Sequence, residues 1–213
     1  MRYFSTLTTC LAAAAATPVF AGPLLPRQST SPSPTPTTPG ACPPSGSARA
    51  SPTMYTLSPS SPDAASPPGT LIDVEASNST TREQAMVIGG IPASARTCSV
   101  IWIQGAPEER DFTVSGSGLV SVLQLEGFPA AGAPVSWNAV QPFVESTGAA
   151  RNRHADFTAW DRPQYGAANH TLGGFDCAEE MRFHLSVDEA VSGPGSVRFQ
   201  QDARNGFFVE YSC

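Results

Sequence analysis

The chain has 213 residues, of which 40% are hydrophobic and 14% charged, with 21 prolines and a formal net charge of −6. Low charge density and a proline-rich composition set it apart from an ordinary cytosolic enzyme. The acidic balance removes nucleic acid and anionic membrane surfaces as default partners, because both require a basic footprint. Every basic residue is arginine, and from Thr53 onward 9 arginines face 18 acids, a balance of −9.

Residues 1–21 read as a secretory signal peptide. Arg2 supplies the positive start, residues 4–16 are an apolar run too short to cross a bilayer, and Val19-Phe20-Ala21 is a cleavage signature. No second apolar stretch long enough for a membrane span follows. Cleavage removes Cys10 and leaves Cys42, Cys98, Cys177 and Cys213, an even count that predicts two disulfides in an exported chain. Three connectivities are open, and spacing does not choose among them. A zinc site is disfavoured, since there is no C-x-x-C pair and His154, His170 and His184 lack ligand spacing. No cofactor is expected.

Residues 22–52 read as a linker. Between residues 29 and 52, 17 of 24 positions are Pro, Ser or Thr, too little apolar area to offset the entropy of ordering. The composition fits an extended, O-glycosylated stalk that holds the domain away from a wall or partner, and equally a spacer left by processing. Cys42 sits awkwardly there: it either staples the linker to the domain or pairs between chains.

The folded domain is expected over residues 53–213. Residues 54–57 read as an edge strand, followed by a proline-rich loop at 58–69. Residues 70–76 alternate, with Ile72, Val74 and Ala76 on one face, and 83–88 form a second strand. Asn78-Ser79-Thr80 between them is a glycosylation sequon, which places that turn at the surface. Residues 97–104 (TCSVIWIQ) are β-branched or aromatic on both faces and predict a central, buried strand. Residues 112–114 and 119–125 read as a hairpin around Ser115-Gly116-Ser117-Gly118; without a lysine or a following helix that run is no phosphate cradle. Residues 135–144 read as a further strand, weakened by Pro142.

Residues 148–176 lack periodicity and read as a long functional loop. They hold Arg151, Arg153, His154, Asp156, Trp160, Asp161, Tyr165 and a second sequon at Asn169. Residues 179–187 alternate again, with His184 expected on the outer, solvated side. The chain closes in a hairpin: residues 197–200, a turn over 202–206 in which Asn205-Gly206 takes positive φ, and residues 207–212, with Cys213 pinning the end. About nine short strands with Gly/Pro-rich turns and no 3.6-residue periodicity predict an all-β domain, an antiparallel β-sandwich.

Several motifs in order carry a resemblance. They are Ser61-Pro62-Asp63 with Gly69, Gly90-Ile91-Pro92-Ala93-Ser94, Thr97-Cys98-Ser99-Val100, Ser115-Gly116-Ser117-Gly118, Phe175-Asp176-Cys177, Phe199-Gln200-Gln201-Asp202 and the aromatic strand ending in Cys213. Together they resemble the fungal ubiquitin-three-binding-protein (But-two) C-terminal-domain family across residues 53–213. Gly90 stands where that family's strand carries Asp, and residues 148–174 match it poorly. The resemblance implies a β-rich domain of small exported fungal proteins, with no catalytic residues to carry over. The family name implies a cytosolic partner, whereas the leader, sequons and cysteines place this chain outside the cell.

Catalytic readings are weak. There is no G-x-S-x-G elbow. His154, Asp156 and His170 have no spacing that presents them to a serine, and Asp156, Asp161, Asp176 and Glu179 read as solvated loop acids rather than as a glycosidase pair. The expected function is therefore non-catalytic, at a cell wall or extracellular surface. The alternative is a carbohydrate-binding or host-interaction module. In it Trp137, Trp160 and Tyr165 stack on sugars beside Asp161, and the partner is a wall polysaccharide or another extracellular protein.

Overall fold

Alternation of apolar and polar side chains builds most of the molecule into strands. The computed structural model describes Cys42 and residues 47–213; the signal peptide and most of the expected linker lie outside the described residues. In chain order the strands are β1 (Ala48–Ala50), β2 (Thr53–Leu57), β3 (Leu71–Ala76), β4 (Thr81–Gly89), β5 (Thr97–Gln104), β6 (Phe112–Gly116) and β7 (Leu119–Gln124). Helix α1 (Trp137–Ser146) follows, then β8 (Asn152–Asp156), β9 (Ala168–Phe175), β10 (Glu180–Val187), the short α2 (Glu189–Ser192), β11 (Gly195–Gln200) and β12 (Gly206–Ser212).

The strands pair antiparallel in two sheets. One has the order β1-β12-β5-β9; the other runs β6-β11-β3-β4-β10-β7-β8, with β2 added on β4. The expected antiparallel β-sandwich is therefore present. Its core lies between the sheets and includes Val74, Met86, Ile88, Val100, Trp102, Phe157, Phe183, Leu185, Val197, Phe207 and Val209. β5 is buried on both faces, as its composition predicts: Val100 and Trp102 join this core, while Ile101 on the other side is also buried opposite Phe208.

β3 meets β4 at only two residue pairs, Glu75↔Arg82 and Ala76↔Thr81. Beyond them the side chain of Gln84 continues the junction, accepting from Asp73 N at 2.9 Å and donating to Leu71 O at 2.9 Å. That satisfies a buried amide and the ladder groups it replaces.

Six expectations need correction. Neither expected hairpin forms: β6 pairs with β11 while β7 pairs with β10 and β8, and β11 pairs with β3 and β6 in one sheet while β12 pairs with β5 and β1 in the other. Each turn carries the chain to a distant strand position, which the alternation on either side of it does not record. Residues 48–50 belong to the domain rather than the linker: β1 pairs Ala48↔Tyr211, Arg49↔Glu210 and Ala50↔Val209. Strand formation here is dictated by a partner at the far end of the chain, which composition does not register. Residues 135–144 do not form a strand. Ser136 caps a helix by accepting from Ala139 N, and Trp137, Val140, Phe143 and Val144 recur at helical spacing. They face Leu57, Ala85, Leu125 and Val135, a second small core on the outer face of the eight-stranded sheet. Pro142 inside the helix masked this pattern.

His184 is not solvated. It does point outward from β10, but α1 covers that face: the Trp137 ring lies 6.0 Å from the imidazole, and His184 Nε2 pairs with Glu83 Oε2 at 2.5 Å. Finally, residues 148–176 are not one long loop. They contain β8 and β9, which leaves residues 157–167 as the irregular stretch.

The cysteines resolve as Cys42–Cys213 and Cys98–Cys177, with Cα–Cα separations of 5.9 and 5.4 Å. The first ties residue 42 to the end of β12, which answers the ambiguity over Cys42 in favour of a staple. The second joins β5 to the segment after β9.

Candidate functional site

Residues 157–167 cross one end of the sandwich. Phe157 enters the core completely, its ring 4.6 Å from that of Trp102 and 5.7 Å from that of Phe207. The chain crosses tightly over Gly118, where Phe157 N donates to Gly118 O at 2.9 Å and Gly118 N to Thr158 Oγ1 at 3.1 Å. A Cβ on Gly118 would stand 2.4 Å from Thr158 N, so the glycine run between β6 and β7 serves this crossing.

Trp160 is half-buried. It meets Trp102 at 5.8 Å and His170 at 4.4 Å edge-on, and Tyr165 at 4.9 Å. His170 lies flat on Trp102, so two indoles enclose one imidazole. Burial pushes the His170 pKa below its ordinary value, because the charged form loses hydration there. Tyr165 remains 37% exposed and forms the outer rim.

Two polar anchors hold this aromatic loop. Asp161 Oδ2 accepts from Val114 N at 3.1 Å, covering the free edge of β6. The Arg110 guanidinium donates to the carbonyls of Arg162 at 3.0 Å, Tyr165 at 2.9 Å and Gly105 at 3.1 Å, with a longer contact to Gly166 at 3.4 Å. Burial lowers the Arg110 pKa, with the charges of Asp161 and Glu108 opposing it. Its partners in the loop lie more than fifty residues from Arg110, so no local signal in the sequence marks the residue.

The proposed sugar-stacking residues are thus only partly brought together. Trp160, Asp161 and Tyr165 share the loop, with Asp161 committed to a backbone amide. Trp137 sits in α1 within the outer core, a different apolar cluster. Asn78 and Asn169 are both exposed, the first in the β3–β4 turn and the second on the edge strand β9.

The potential catalytic groups are separated by their bonds. His154 Nε2 pairs with Asp188 Oδ2 at 2.8 Å, while the other oxygen of Asp188 accepts from Val191 N as the cap of α2. Ser121 lies opposite His154 in the β7–β8 register, but its hydroxyl donates to Asn152 Oδ1 at 2.7 Å. Asp156 accepts from Thr158 N, and His170 is enclosed by tryptophans. Among the described residues no group of three or more His, Cys, Asp or Glu is placed to hold a metal, and no helix is long and apolar enough to cross a membrane.

A second concavity lies beside the Cys98–Cys177 disulfide, where the edge strands β8 and β9 come together. It is an open groove of about 470 Å³ lined by Arg96, Cys98, Ser99, Arg151, Arg153 and Phe175, among others. The Arg153 guanidinium stands 5.5 Å from the Phe175 ring centroid, and its Nη1 donates to the carbonyls of Ala150 and Asn152 at 2.9 and 2.8 Å. Arg151 bridges Asp176 at 3.0 Å and Glu126 at 3.3 Å. No local spacing groups these arginines, because Arg96 precedes β5 of one sheet whereas Arg153 lies on β8 of the other. Compared with protein-family models, curated proteins and solved structures, the chain matches none.

Proposed function

We propose that the chain is an exported, non-catalytic protein that acts outside the cell, at a cell wall or another extracellular surface. The pair of disulfides carries this reading, since such bonds persist in oxidising compartments and are rare in reducing ones. The apolar leader at residues 1–21 and the exposed sequon asparagines Asn78 and Asn169 support the same address. The resemblance to the But-two C-terminal-domain family supports a β-rich protein without catalytic residues. So does the commitment of Asp188 to a helix cap and of Ser121 to Asn152.

A second reading, a carbohydrate-binding module, is favoured by the Trp160–Tyr165 ring pair, half-exposed at the rim of a loop that Arg110 holds rigid. Rigid aromatics lose little entropy on stacking against a sugar ring.

Expression from the native leader in a fungal host tests the export reading. The expected product is found in the medium or the wall fraction, with no free thiols and a mass that falls on removal of N-glycans. A cytosolic product with free thiols would sink it. Incubation of that product with insoluble wall polysaccharides, beside Trp160→Ala, tests the second reading. Retention abolished by the substitution places sugar binding at the loop; undiminished retention places it elsewhere.

A further inference from the structure

The groove beside Cys98–Cys177 is an island of positive charge on an acidic domain. Its lining holds Arg96, Arg151 and Arg153; Asp176 in the lining and Glu126 beside it both bind Arg151, which leaves the charges of Arg96 and Arg153, while the residues from Thr53 onward carry −9 overall. Elsewhere five arginines are paired with acids: Arg49 with Glu210, Arg82 with Asp73 and Glu75, Arg182 with Glu180, Arg198 with Asp73 and Arg204 with Glu109; Arg110 is instead spent on backbone carbonyls of the aromatic loop, and Arg162 stands exposed on that loop. Arg96 and Arg153 have no carboxylate partner within 4.0 Å among the described residues. Every carboxylate side chain of the protein lies at or beyond Asp63, inside the described part, so residues outside it supply none.

Arg153 is also pre-oriented. Two carbonyls hold one end of its guanidinium and Phe175 flanks it, so its remaining N–H groups face the groove at little entropic cost. We infer that this groove binds a carboxylate-bearing sugar, a uronic-acid unit of an extracellular polysaccharide. Planar guanidinium groups pair with a carboxylate through parallel N–H···O bonds. Phe175 lines the groove as an apolar contact for the pyranose ring beside the Arg153 that flanks it, and Ser99, on the other face of β5, lines it too. A ligand with one charge per sugar suits this site better than a dense polyanion, which the surrounding acidic field and Asp176 repel. The inference rests on the extracellular reading only for access to the ligand, and it is separate from the Trp160 loop.

Calorimetric titration of the disulfide-bonded protein with an oligogalacturonate tests it, with the methyl-esterified oligomer of equal length as the uncharged control. Arg96→Ala, Arg153→Lys and, outside the groove, Arg204→Ala are titrated in parallel. Each is first compared with the parent by near-UV circular dichroism. The expected result is saturable binding of the acid form that weakens with salt. The ester should bind at least about tenfold more weakly, as should Arg96→Ala with the acid form, while Arg204→Ala should bind like the parent. Arg153→Lys keeps the charge but loses the planar fork, and should also weaken binding. Absence of oligogalacturonate binding, equal binding of acid and ester, or binding unchanged in both groove variants would each overturn the inference. Binding confined to polysaccharide and abolished by Trp160→Ala alone would overturn it too, while leaving the sugar-binding reading of the loop intact.

Discussion

The imidazole of His170 lies flat against the indole of Trp102, with 3.8 Å between ring centroids and 13° between the planes. Trp160 closes the other side edge-on. His170 Nε2 is buried without a hydrogen-bond partner among the described residues, and burial lowers its pKa. The neutral ring is therefore the form this packing favours.

A pH dependence follows from that direction. The unfolded chain takes up a proton on His170 before the folded one does, so this contribution to stability is complete above the ordinary histidine value, about 6.5, and is lost as pH falls below it. The melting temperature should decline between pH 7 and pH 5, and His170→Gln should flatten that decline even though it melts lower throughout. An equal slope in parent and variant would refute the assignment. Tryptophan fluorescence followed over the same range should fall in the parent as the charged imidazole forms against Trp102.

Arg110 holds the aromatic loop through backbone carbonyls, so its removal should release the loop without unfolding the sandwich. Arg110→Ala should cost about 1.5 kcal/mol, the low end for hydrogen bonds to a charged group, because the Arg162 and Tyr165 carbonyls it binds are exposed and can turn to water. Hydrogen exchange is expected to rise across residues 157–167 and to stay unchanged in β4 and β10. Arg110→Lys cannot reach the carbonyls of Gly105, Arg162 and Tyr165 in one plane, so it should behave more like alanine than like the parent.

Gly118→Ala should destabilise by about 1–3 kcal/mol, because the added methyl meets backbone atoms of Phe157 and Thr158 rather than a side chain that can rotate away. Denaturant unfolding measures this. Gly132→Ala is a useful comparison, since its positive φ of 82° predicts backbone strain with nothing within 4 Å to clash. A smaller cost at Gly132 would separate strain from steric contact.

Each disulfide should contribute roughly 2–4 kcal/mol. Paired Cys98→Ala/Cys177→Ala substitution should lower stability and also loosen β9 from β5 near the arginine groove. Paired Cys42→Ala/Cys213→Ala substitution should instead fray β1 and the end of β12. Residue-resolved hydrogen exchange distinguishes the two patterns.

Acid should act on the turn between β11 and β12 as well. Burial raises the Asp202 pKa, but hydrogen bonds from Arg204 N, the Asn205 side chain and Asn205 N, with the Arg204 charge, outweigh it and hold the carboxyl below its ordinary value. The contribution is present above the unfolded carboxylate range, about pH 4, and is lost as pH falls below it. Asp202→Asn should reduce the acid sensitivity of the β11–β12 turn in hydrogen exchange.

Much of the architecture is written locally. Residues 97–104, 180–187 and 207–212 declare themselves as strands because a pleated chain presents alternate side chains to opposite faces, and that period survives without any partner. The closing turn was also legible, although only Gly206 adopts positive φ (123°) and Asn205 instead turns inward to accept from Gly105 N at 2.8 Å. Cysteine parity implied two disulfides for the same reason: it is a property of the sequence and not of its arrangement.

What only the tertiary structure decided depends on residues far apart in the chain. The cysteine pairing, the joining of β1 to β12 and the reach of Arg110 to Tyr165 all close long loops, whose ends carry no mark of one another. Helix α1 went unread because Pro142 interrupts its pattern, and its apolar stripe makes sense only against Leu57, Ala85 and Leu125. His184 became buried through that same helix, not through its own strand. The arginine groove likewise exists only where β5, β8 and β9 converge. Periodicity records which face of an element is apolar; the packing of elements determines what that face, and the polar side chains around it, finally meet.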